Sequence, residues 1–336
     1  MSQTILITGV LGFIASHVLA FMVNKYKEHK FIGMDKISYC SNEKNIRDIL
    51  NSENFQFVKA DITNLEFMDY IFQTYKIDTV LHFAAYTHVD HSFGNSLDFT
   101  RNNVLGTHVL LEVSKKYKIQ KFIHVSTDEV YGNQAAISDE KSLLDPTNPY
   151  SATKTAAEYL VKSYYHSFKL PIIITRGNNV YGPQQYPEKV IPKFIYRLLS
   201  DLPCAIQGHG KQVRSFLYID DVVSAFDIIL NKGVIGEIYN IGCDDGTNEC
   251  SILDLADKLV ASLKPTVNPE DWITYVKDRD FNDQRYHISN EKIKSLGWIQ
   301  QYPLNIGLSK TIEWYKNAVD YWPYTELLSV IGAAKI

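Results

Sequence analysis

The sequence predicts an α/β fold in which a doubly wound parallel sheet is joined by a smaller mixed α/β domain. Short apolar runs alternate with longer helical patterns through the first half of the chain. Most of these runs are continuously apolar, as expected for strands covered on both faces. A glycine-containing turn follows the first run directly. The length of 336 residues, with 45% hydrophobic and 21% charged residues, excludes collagen, disorder and disulfide scaffolds.

Each element is predicted from the local pattern. Strands are predicted at 4–8, 30–34, 55–59, 78–83, 121–126, 171–175 and 238–242. Helices are predicted at about 13–25, 64–75, 95–117, 150–168 and 220–231. Strand–helix alternation implies right-handed crossovers, and ligands of such sheets bind beyond the carboxyl ends of the strands. Prolines loosen the pattern after about residue 176.

The turn at residues 7–15, ITGVLGFIA, has the features of a Rossmann-type dinucleotide-binding turn. Gly9 permits the tight turn, and Gly12 lets the backbone approach a pyrophosphate at the helix N-terminus. Asp35, at the end of the second strand, can accept hydrogen bonds from ribose hydroxyls and would repel a 2′-phosphate. The sequence therefore favours NAD over NADP, although Lys36 beside Asp35 weakens that preference.

Two further strand ends extend the predicted cofactor site. Asp61 and Ile62 follow the third strand, where the adenine edge would lie. Phe83, Ala84 and Ala85 follow the fourth strand, and their small members would let a dinucleotide lie close to the backbone.

Tyr150 and Lys154, in the segment PYSATK at 149–154, form a candidate catalytic pair. Their spacing places both side chains on one face of a helix. A nearby ammonium and the positive nicotinamide would favour the phenolate and lower the pKa of the tyrosine from about 10 towards working pH. The pair predicts that Tyr150 acts as a base for a substrate hydroxyl.

The segment STDEVYG at 126–132 brings a hydroxyl and two carboxyls to the end of the fifth strand, on Thr127, Asp128 and Glu129. Two carboxyls in different environments can have different pKa values, so that one serves as an acid and the other as a base. The alternative is structural, because Ser126 and Glu129 also have the spacing of a helix capping box.

Together, TGVLGFIA, HFAA, YSATK and NVYGP resemble the extended short-chain dehydrogenase/reductase family that acts on nucleotide sugars. The triplet in STDEVYG is similar to that of the nucleotide-glucose 4,6-dehydratases within that family. The resemblance covers roughly residues 4–318. It is strongest to the dehydratase domain of plant-type UDP-rhamnose synthases, followed by the bacterial dTDP-glucose enzymes.

The resemblance implies conversion of UDP-glucose to UDP-4-keto-6-deoxyglucose and water, towards rhamnose or another deoxysugar. Tyr150 would take the O4 proton while C4 gives its hydride to NAD, with Thr127 hydrogen-bonded to O4. Glu129 would remove the C5 proton while Asp128 protonates the departing C6 hydroxyl. Return of the hydride to C6 would leave the NAD unchanged.

The turn and the resemblance together imply two sets of binding residues. The expected cofactor contacts are Gly9, Gly12, Phe13, Ile14, Asp35, Lys36, Ser38, Asp61, Ile62, Phe83, Ala84, Ala85, Asn102, Tyr150, Lys154 and Val180. The expected substrate contacts are Thr87, Asn179, Lys189, Val190, Ala205, Gln207, Arg214, Asn248 and Arg279. Asp280 departs from the family pattern, which usually has a proline at this position, and its carboxylate beside Arg279 should be unfavourable near a diphosphate.

The predicted domains are interleaved along the chain. Residues 1–177 with 220–250 are expected to form the NAD-binding domain, and 178–219 with 251–318 the nucleotide-sugar domain. The tail, 319–336, is left unassigned between docking on the body of the chain and docking on a partner.

Composition excludes several partners and sites. The net charge of −4 argues against a nucleic-acid or anionic-membrane binder. The apolar run at 9–23 has no preceding cation and is too short for a membrane span. Four scattered cysteines, at 40, 204, 243 and 250, predict reduced thiols in a cytoplasmic protein. No histidine or cysteine spacing indicates a metal, so none is expected.

Two expectations concern histidines and assembly. His82 and His124 lie inside apolar strands and are predicted to be satisfied core residues, whereas His88 and His91 are expected near the active-site loop. The resemblance implies a homodimer built from the helices at 95–117 and 150–168.

Three alternatives remain open at this stage. The first is a dTDP-glucose 4,6-dehydratase. The second is an NAD-dependent nucleotide-sugar 4-epimerase or decarboxylase on the same fold, which the pair Asp128 and Glu129 disfavours because these reactions need no acid for a C6 hydroxyl. The third is a non-catalytic NAD-binding redox sensor, which would have no use for Tyr150 and Lys154.

Overall fold

The computed structural model describes residues 2–134, 136–243, 246–279, 281–318 and 320–332, except for the side chains of 324–326. The strands are β1 Thr4–Thr8, β2 Lys30–Asp35, β3 Phe55–Lys59, β4 Thr79–His82, β5 Lys121–Thr127, β6 Ile172–Gly177, β7 Asn179–Tyr181, β8 Cys204–Gln207, β9 Val213–Tyr218, β10 Ile238–Ile241, β11 Glu249–Ser251 and β12 Ile273–Val276. The helices are α1 Phe13–Lys25, α2 Leu65–Tyr75, α3 Val89–Gly94, α4 Ser96–Phe99, α5 Gly106–Tyr117, α6 Pro149–Phe168, α7 Val190–Leu199, α8 Ile219–Lys232, α9 Ile252–Leu263, α10 Glu291–Ser295, α11 Leu304–Asn317 and α12 Tyr324–Ile331.

The central sheet has seven strands in the order β10-β6-β5-β4-β1-β2-β3, and all pairs are parallel. Alternate residues of one strand pack into different cores: Ile5 and Ile7 belong to one apolar cluster, whereas Leu6 belongs to the other. Both faces of the sheet are therefore covered, which explains the continuously apolar strands. The predicted doubly wound, Rossmann-type fold is confirmed.

The predicted helix at 95–117 is interrupted by a π-helical turn at Thr100–Leu105, between α4 and α5. The turn buries the side chains of Asn102 and Asn103. The Asn103 amide bonds to both backbone polar atoms of Tyr86 and to the Thr153 hydroxyl, so tertiary contacts stabilise the extra residue in the turn.

A second region lies outside the central sheet. It contains a three-stranded sheet, β11-β9-β7, and the parallel pair β12-β8. Between these strands the chain returns to the central sheet with α8 and β10. One apolar cluster contains Ile5 of β1, Ile195 of α7 and Leu255 of α9, so the two predicted domains share a core. The predicted domain boundaries therefore stay predictions.

The described part of the tail docks on the body of the chain. Trp322 is buried edge-to-face against Tyr186, with ring centroids 5.0 Å apart. The Arg197 guanidinium of α7 donates to the carbonyl of Ile331, and the Tyr321 hydroxyl donates to Asn45. None of the four cysteines forms a disulfide. None of the helices in the described residues is long and apolar enough to cross a membrane.

Candidate active site

A crevice of about 660 Å³ runs past the carboxyl ends of the central strands and into the second region. It is lined by the first turn, by the ends of β4 and β5, by α6 and by residues of β8 and β9. Ligands of open parallel sheets bind at this edge, so the crevice is the candidate active site.

The turn after β1 has the conformation that its sequence predicts. Gly9 has a φ of +78°, and a Cβ there would lie 2.9 Å from the backbone of Ala84. Gly12 is the N-cap residue of α1 and has no side chain that could accept a hydrogen bond. The first N–H groups of the helix therefore receive no side-chain cap from it. A helix N-terminus of this kind attracts anions such as a pyrophosphate.

Asp35 is held rigidly at the end of β2. Its carboxylate accepts hydrogen bonds from the N–H groups of Leu11 (3.1 Å) and Ile37 (2.8 Å) and from the Ser41 hydroxyl (3.0 Å). The neighbouring Lys36 donates to the Asn102 side chain at 2.6 Å instead of pairing with this carboxylate. Asp35 and Lys36 both line the crevice.

The α6 helix carries Tyr150 and Lys154, and its N-cap is Asn148. Lys154 donates to the Val125 carbonyl at 2.7 Å, and burial lowers its pKa to about 8. Burial and the charge of Glu129 raise the pKa of Tyr150 above its ordinary value. In the protein alone the pKa of Tyr150 is therefore raised, because the ammonium contacts a carbonyl and the carboxylates oppose a second negative charge. The fall expected beside a bound nicotinamide stays a prediction.

Asp128 and Glu129 occupy a 3₁₀ turn directly after β5. Burial and the adjacent Glu129 raise the pKa of the Asp128 carboxyl from 3.8 to about 7. That carboxyl accepts hydrogen bonds from Asn178 at 2.7 Å and from the Thr127 hydroxyl at 3.2 Å. A carboxyl in this environment can hold a proton near neutral pH.

Glu129 has different surroundings. Burial raises its pKa, while the charge of Lys189 and a hydrogen bond from Asn148 (3.2 Å) oppose that shift. The capping-box interpretation is wrong, because the cap of this turn is Thr127, whose hydroxyl accepts from the Glu129 N–H at 3.3 Å. The Ser126 hydroxyl has no hydrogen-bond partner within the described chain.

Cations line the other side of the crevice. Arg214 donates to Asn282 and to the Asp283 carbonyl, at 3.1 and 2.9 Å, and its guanidinium lies over the Tyr286 ring. Arg279 pairs with Asp90 at 2.5 Å, and Lys189 donates to the carbonyl of Thr87. Guanidinium and ammonium groups at one wall can bind a diphosphate.

The structure brings most of the predicted site residues into one crevice. Those that line it are Gly9, Gly12, Phe13, Ile14, Asp35, Lys36, Ser38, Ile62, Phe83, Ala84, Ala85, Thr87, Asn102, Thr127, Glu129, Tyr150, Lys154, Asn179, Val180, Lys189, Val190, Ala205, Gln207, Arg214 and Arg279. Asp128 lies just behind the wall, 2% exposed.

Two predicted contacts are elsewhere. Asp61 accepts hydrogen bonds from the N–H and hydroxyl of Thr63 and borders a shallow neighbouring depression. Asn248 is fully buried, and its amide donates to the carbonyl of Tyr302 at 3.1 Å. Asp280 lies outside the described residues.

The core histidines differ from each other. His82 bonds to the hydroxyls of Thr8 and Thr107, at 2.9 and 3.0 Å, as expected for a satisfied core residue. Within the described chain neither ring nitrogen of His124 has a hydrogen-bond partner, so the same prediction is wrong there. The two ring centroids lie 5.5 Å apart with the rings tilted by 48°. Burial lowers the pKa of both, to about 3 for His82.

His88, His91 and Glu188 place one potential ligand atom each within 4.8 Å of one another. Spacing in the sequence missed this cluster, because Glu188 comes from a distant segment. Burial and the charges of Lys189 and Arg279, among others, lower the pKa of His88 to about 2, and the same cations disfavour a divalent metal. That no metal binds stays a prediction.

Sequence reasoning missed two asparagines that hold the carboxyls. Asn148 caps α6 through the Ser151 N–H (2.9 Å) and donates to Glu129 with the same amide. Its place before Pro149 is a helix-start signal that could have identified it. Asn178 donates to Asp128, and no local pattern marks it.

Comparisons with known proteins show which family the chain belongs to. The family model described as GDP-mannose 4,6 dehydratase matches residues 6–311. The chain is 49% identical to dTDP-D-glucose 4,6-dehydratase of Dictyostelium discoideum, covering 95% of this chain and 83% of that protein.

The chain also resembles one part of a larger plant protein. It is 50% identical to the trifunctional UDP-glucose 4,6-dehydratase/UDP-4-keto-6-deoxy-D-glucose 3,5-epimerase/UDP-4-keto-L-rhamnose-reductase of Arabidopsis thaliana, covering 95% of this chain and 48% of that protein. A solved structure, dTDP-glucose 4,6-dehydratase from Bacillus anthracis in complex with NAD, matches with a TM-score of 0.87 at 36% identity, covering 95% of this chain and 98% of that chain.

Proposed function

The chain belongs to the GDP-mannose 4,6-dehydratase family and is an NAD-dependent nucleotide-sugar 4,6-dehydratase, and we propose that its substrate is UDP-glucose. The proposed products are UDP-4-keto-6-deoxyglucose and water. The observation that carries the proposal is the carboxyl pair Asp128 and Glu129 beside Tyr150. An elimination needs an acid for the leaving hydroxyl and a base for the C5 proton.

The first half of the chain fits NAD. The first N–H groups of α1 have no side-chain cap, so they can bind the pyrophosphate, and Asp35 offers a fixed carboxylate to the ribose. The close packing of Gly9 on Ala84 keeps the turn clear of side chains that would obstruct this approach. When bound, NAD accepts a hydride from C4 of the sugar and returns it to C6.

Tyr150 takes the proton from O4 as C4 is oxidised. Burial and Glu129 raise the pKa of Tyr150 in the protein alone. The ammonium of Lys154, with a pKa of about 8 that keeps it largely protonated at neutral pH, and the positive nicotinamide would together oppose that rise in the complex. Thr127 also lowers the pKa of Tyr150 by hydrogen bonding, and its hydroxyl lies next to Asp128. Thr127 thus orients O4 between the base and the carboxyl pair.

Asp128 and Glu129 perform the elimination. The ketone at C4 acidifies the C5 hydrogen, which Glu129 removes, while Asp128 gives its proton to the C6 hydroxyl. The raised pKa of Asp128, about 7, suits a general acid at neutral pH. Cations near Glu129 oppose the effect of its burial and favour the ionised form that a base requires.

The diphosphate binds at the cationic wall. Arg214, Arg279 and Lys189 supply charge-assisted donors, and Asn179 supplies an amide in the same crevice. Thr87 contacts the sugar. Within this proposal Asn248 supports the nucleotide side through packing, since its side chain is buried behind the wall.

The choice of nucleotide rests on the relatives. The plant relative, 50% identical, supports UDP-glucose, and the Dictyostelium relative, 49% identical, favours dTDP-glucose as the second candidate. The two substrates differ by a methyl group and a ribose hydroxyl. A methyl difference is worth about 1–3 kcal/mol, or about 10–200-fold, so we expect a preference for UDP-glucose and some activity on both.

The test is mass spectrometry of each sugar nucleotide after separate incubation with the protein. Loss of one water supports the dehydratase reaction, and a higher kcat/KM for UDP-glucose supports the proposed substrate. A higher value for dTDP-glucose would reverse the choice of nucleotide. An isomeric product without loss of mass would point to the epimerase alternative, and no product from either would favour the redox sensor.

We also propose a homodimer that packs through the helical segments at 95–117 and 150–168. Leu97, Tyr159 and Phe168 on these segments are more than half exposed, at 82%, 57% and 53%, and a partner would cover them. Light scattering of the purified protein tests this, and a monomer at working concentration would contradict it. The cytoplasmic location and a role in making rhamnose stay predictions.

A further inference from the structure

Asn178 joins the ends of three neighbouring strands. It follows β6 directly, and the sheet register places it opposite Asp128, the residue after β5. Its own N–H donates to the carbonyl of Ile241 at the end of β10, at 3.0 Å. The side chain is 5% exposed and lines the inner wall of the crevice.

The orientation of the Asn178 amide follows from its neighbours. The N–H of Cys243 donates to the amide oxygen at 3.1 Å, so the amide NH₂ must point the other way, to Asp128 Oδ2 at 2.7 Å. Gly242 allows this arrangement, because a Cβ there would lie 2.2 Å from the amide oxygen. The amide therefore has one fixed orientation.

This orientation assigns different tasks to the two oxygens of Asp128. Oδ2 accepts the amide N–H and cannot also direct a proton towards Asn178. Oδ1 accepts from the hydroxyl of Thr127 at 3.2 Å when the carboxyl is ionised. That hydroxyl can rotate and accept when Oδ1 carries a proton, whereas the amide NH₂ of Asn178 can only donate. Thr127 lines the crevice. A proton on the carboxyl is thus confined to the oxygen on the Thr127 side.

We propose that Asn178 is a positioning residue that keeps the acid proton of Asp128 on Oδ1, where it can be given to the substrate. This inference rests on the proposed function. In the elimination, the Oδ1–H and C6–O bonds break and a water O–H bond forms, while the C5 proton passes to Glu129 and its electron pair becomes the C5–C6 double bond. Asp128 ends ionised, with Oδ2 still bonded to the amide.

The charged and titratable groups around Asp128 give the expected direction of each change. Burial and Glu129 raise its pKa, whereas the N–H of Asn178, the Thr127 hydroxyl and the more distant Arg214 lower it by stabilising the ionised form. Tyr150 is also within electrostatic range. Removing the N–H alone should raise the pKa of Asp128, while adding a carboxyl should make a second proton hard to bind.

Two variants of similar shape test the proposal by shifting the pH profile in opposite directions. Asn178→Leu cannot donate, so the alkaline limb of kcat should move up by about one pH unit, and the maximum should fall about tenfold because the proton is no longer confined to Oδ1. In Asn178→Asp, the new carboxyl still accepts from the Cys243 N–H. Its other oxygen shares one proton with Oδ2 of Asp128. The alkaline limb of its kcat–pH profile should move down by about one pH unit, since activity then needs a second proton, on Oδ1 of Asp128.

Asn240→Asp is the matched control. Asn240 is fully buried in β10, accepts from the Tyr131 hydroxyl at 2.8 Å and donates to the Ser138 carbonyl at 3.3 Å. This variant should lower Tm without moving the alkaline limb of the kcat–pH profile. If Asn178 had a purely structural role, its variants would also lower Tm and leave that limb in place. An unchanged alkaline limb in both Asn178 variants would therefore overturn the proposal.

A second measurement is independent of turnover. In Asn178→Asp at neutral pH, C4 oxidation should continue while elimination stalls, so the absorbance of bound NADH should build up after one addition of substrate. No build-up, with slow turnover, would contradict a role in the elimination. If Asn178→Leu does not fold, Asn178→Asp alone decides. If the unmodified protein releases no water from either sugar nucleotide, the proposed function fails and this inference fails with it.

Discussion

The proposed cofactor side and the proposed substrate side of the crevice are built from different kinds of contact. On the cofactor side, the backbone sets the geometry: Gly9 turns the chain, and Asp35 is fixed by the N–H groups of Leu11 and Ile37. On the substrate side, long side chains from distant segments meet, as when Lys189 reaches the Thr87 carbonyl and Arg279 reaches Asp90.

This difference has consequences for mutation. A backbone turn has few ways to relax, so a substitution there should disrupt binding and folding together. A group of cations shares its contact with the substrate, so loss of one member should weaken binding in part. The proposed catalytic residues stand between these sides, on the ends of β5 and α6, and their loss should affect the rate.

Tyr150→Phe should have the largest effect, since it removes the proposed base and leaves the ring in place. We expect C4 oxidation to slow by about 10²–10⁴-fold while NAD still binds. Single-turnover measurement of the absorbance of bound NADH checks this. Oxidation at the normal rate would show that another group accepts the O4 proton.

Asp128→Asn should separate the two halves of the reaction. The amide cannot protonate the C6 hydroxyl, so turnover should fall by about 10²–10⁴-fold with little change in substrate affinity. C4 oxidation does not need this proton, and bound NADH should accumulate. Turnover close to the normal value would exclude Asp128 as the acid.

The same group predicts a pH dependence. The pKa of Asp128 is raised from 3.8 to about 7, so the folded protein keeps a proton that the unfolded chain loses. Its contribution to the free energy of unfolding is therefore complete below about pH 4 and is lost as the pH rises through about 7. kcat should fall above about pH 7 for the same reason. Denaturant unfolding at several pH values gives the free energy of unfolding as a function of pH. That free energy should depend less steeply on pH in Asp128→Asn than in the unmodified protein, and equal dependence would contradict this.

Gly9→Ala tests the backbone side. The methyl group would be forced against the Ala84 backbone at a positive φ, which should cost about 1–3 kcal/mol of stability. NAD affinity should fall by about tenfold or more, because the turn and the start of α1 move together and each 1.4 kcal/mol of lost binding free energy is about tenfold. Calorimetric titration with NAD and a thermal melt check both effects. An intact Tm with normal NAD affinity would show that the turn tolerates a side chain.

Arg214→Gln tests the cationic side and should have the smallest effect. One charge-assisted contact is worth about 1.5 kcal/mol, so KM should rise about tenfold while kcat changes little. Arg285→Gln is the matched control, because this arginine pairs with Glu249 at the surface, at 2.6 Å. A fall in kcat instead of a rise in KM for Arg214→Gln would mean that the guanidinium acts on the reacting atoms.

Some features of the fold were predictable because they repeat or are local. Continuously apolar strands identified the parallel sheet, and the spacing of Tyr150 and Lys154 placed both on α6. The predicted helix at 95–117 was correct as a helical segment, but its π-helical turn was not predictable, since the contacts of Asn103 with Tyr86 and Thr153 stabilise it.

The sequence by itself determined the sheet, the cofactor turn and the carboxyl pair after β5, because each depends on neighbouring residues and backbone periodicity. Tertiary structure decided how these groups are held. It buried Tyr150 beside carboxylates and raised its pKa, placed Asn248 behind the wall, and brought Asn178 to Asp128 through the pairing of β5 with β6. Such contacts join residues far apart in the chain, and their energies depend on burial and charge that no local pattern records.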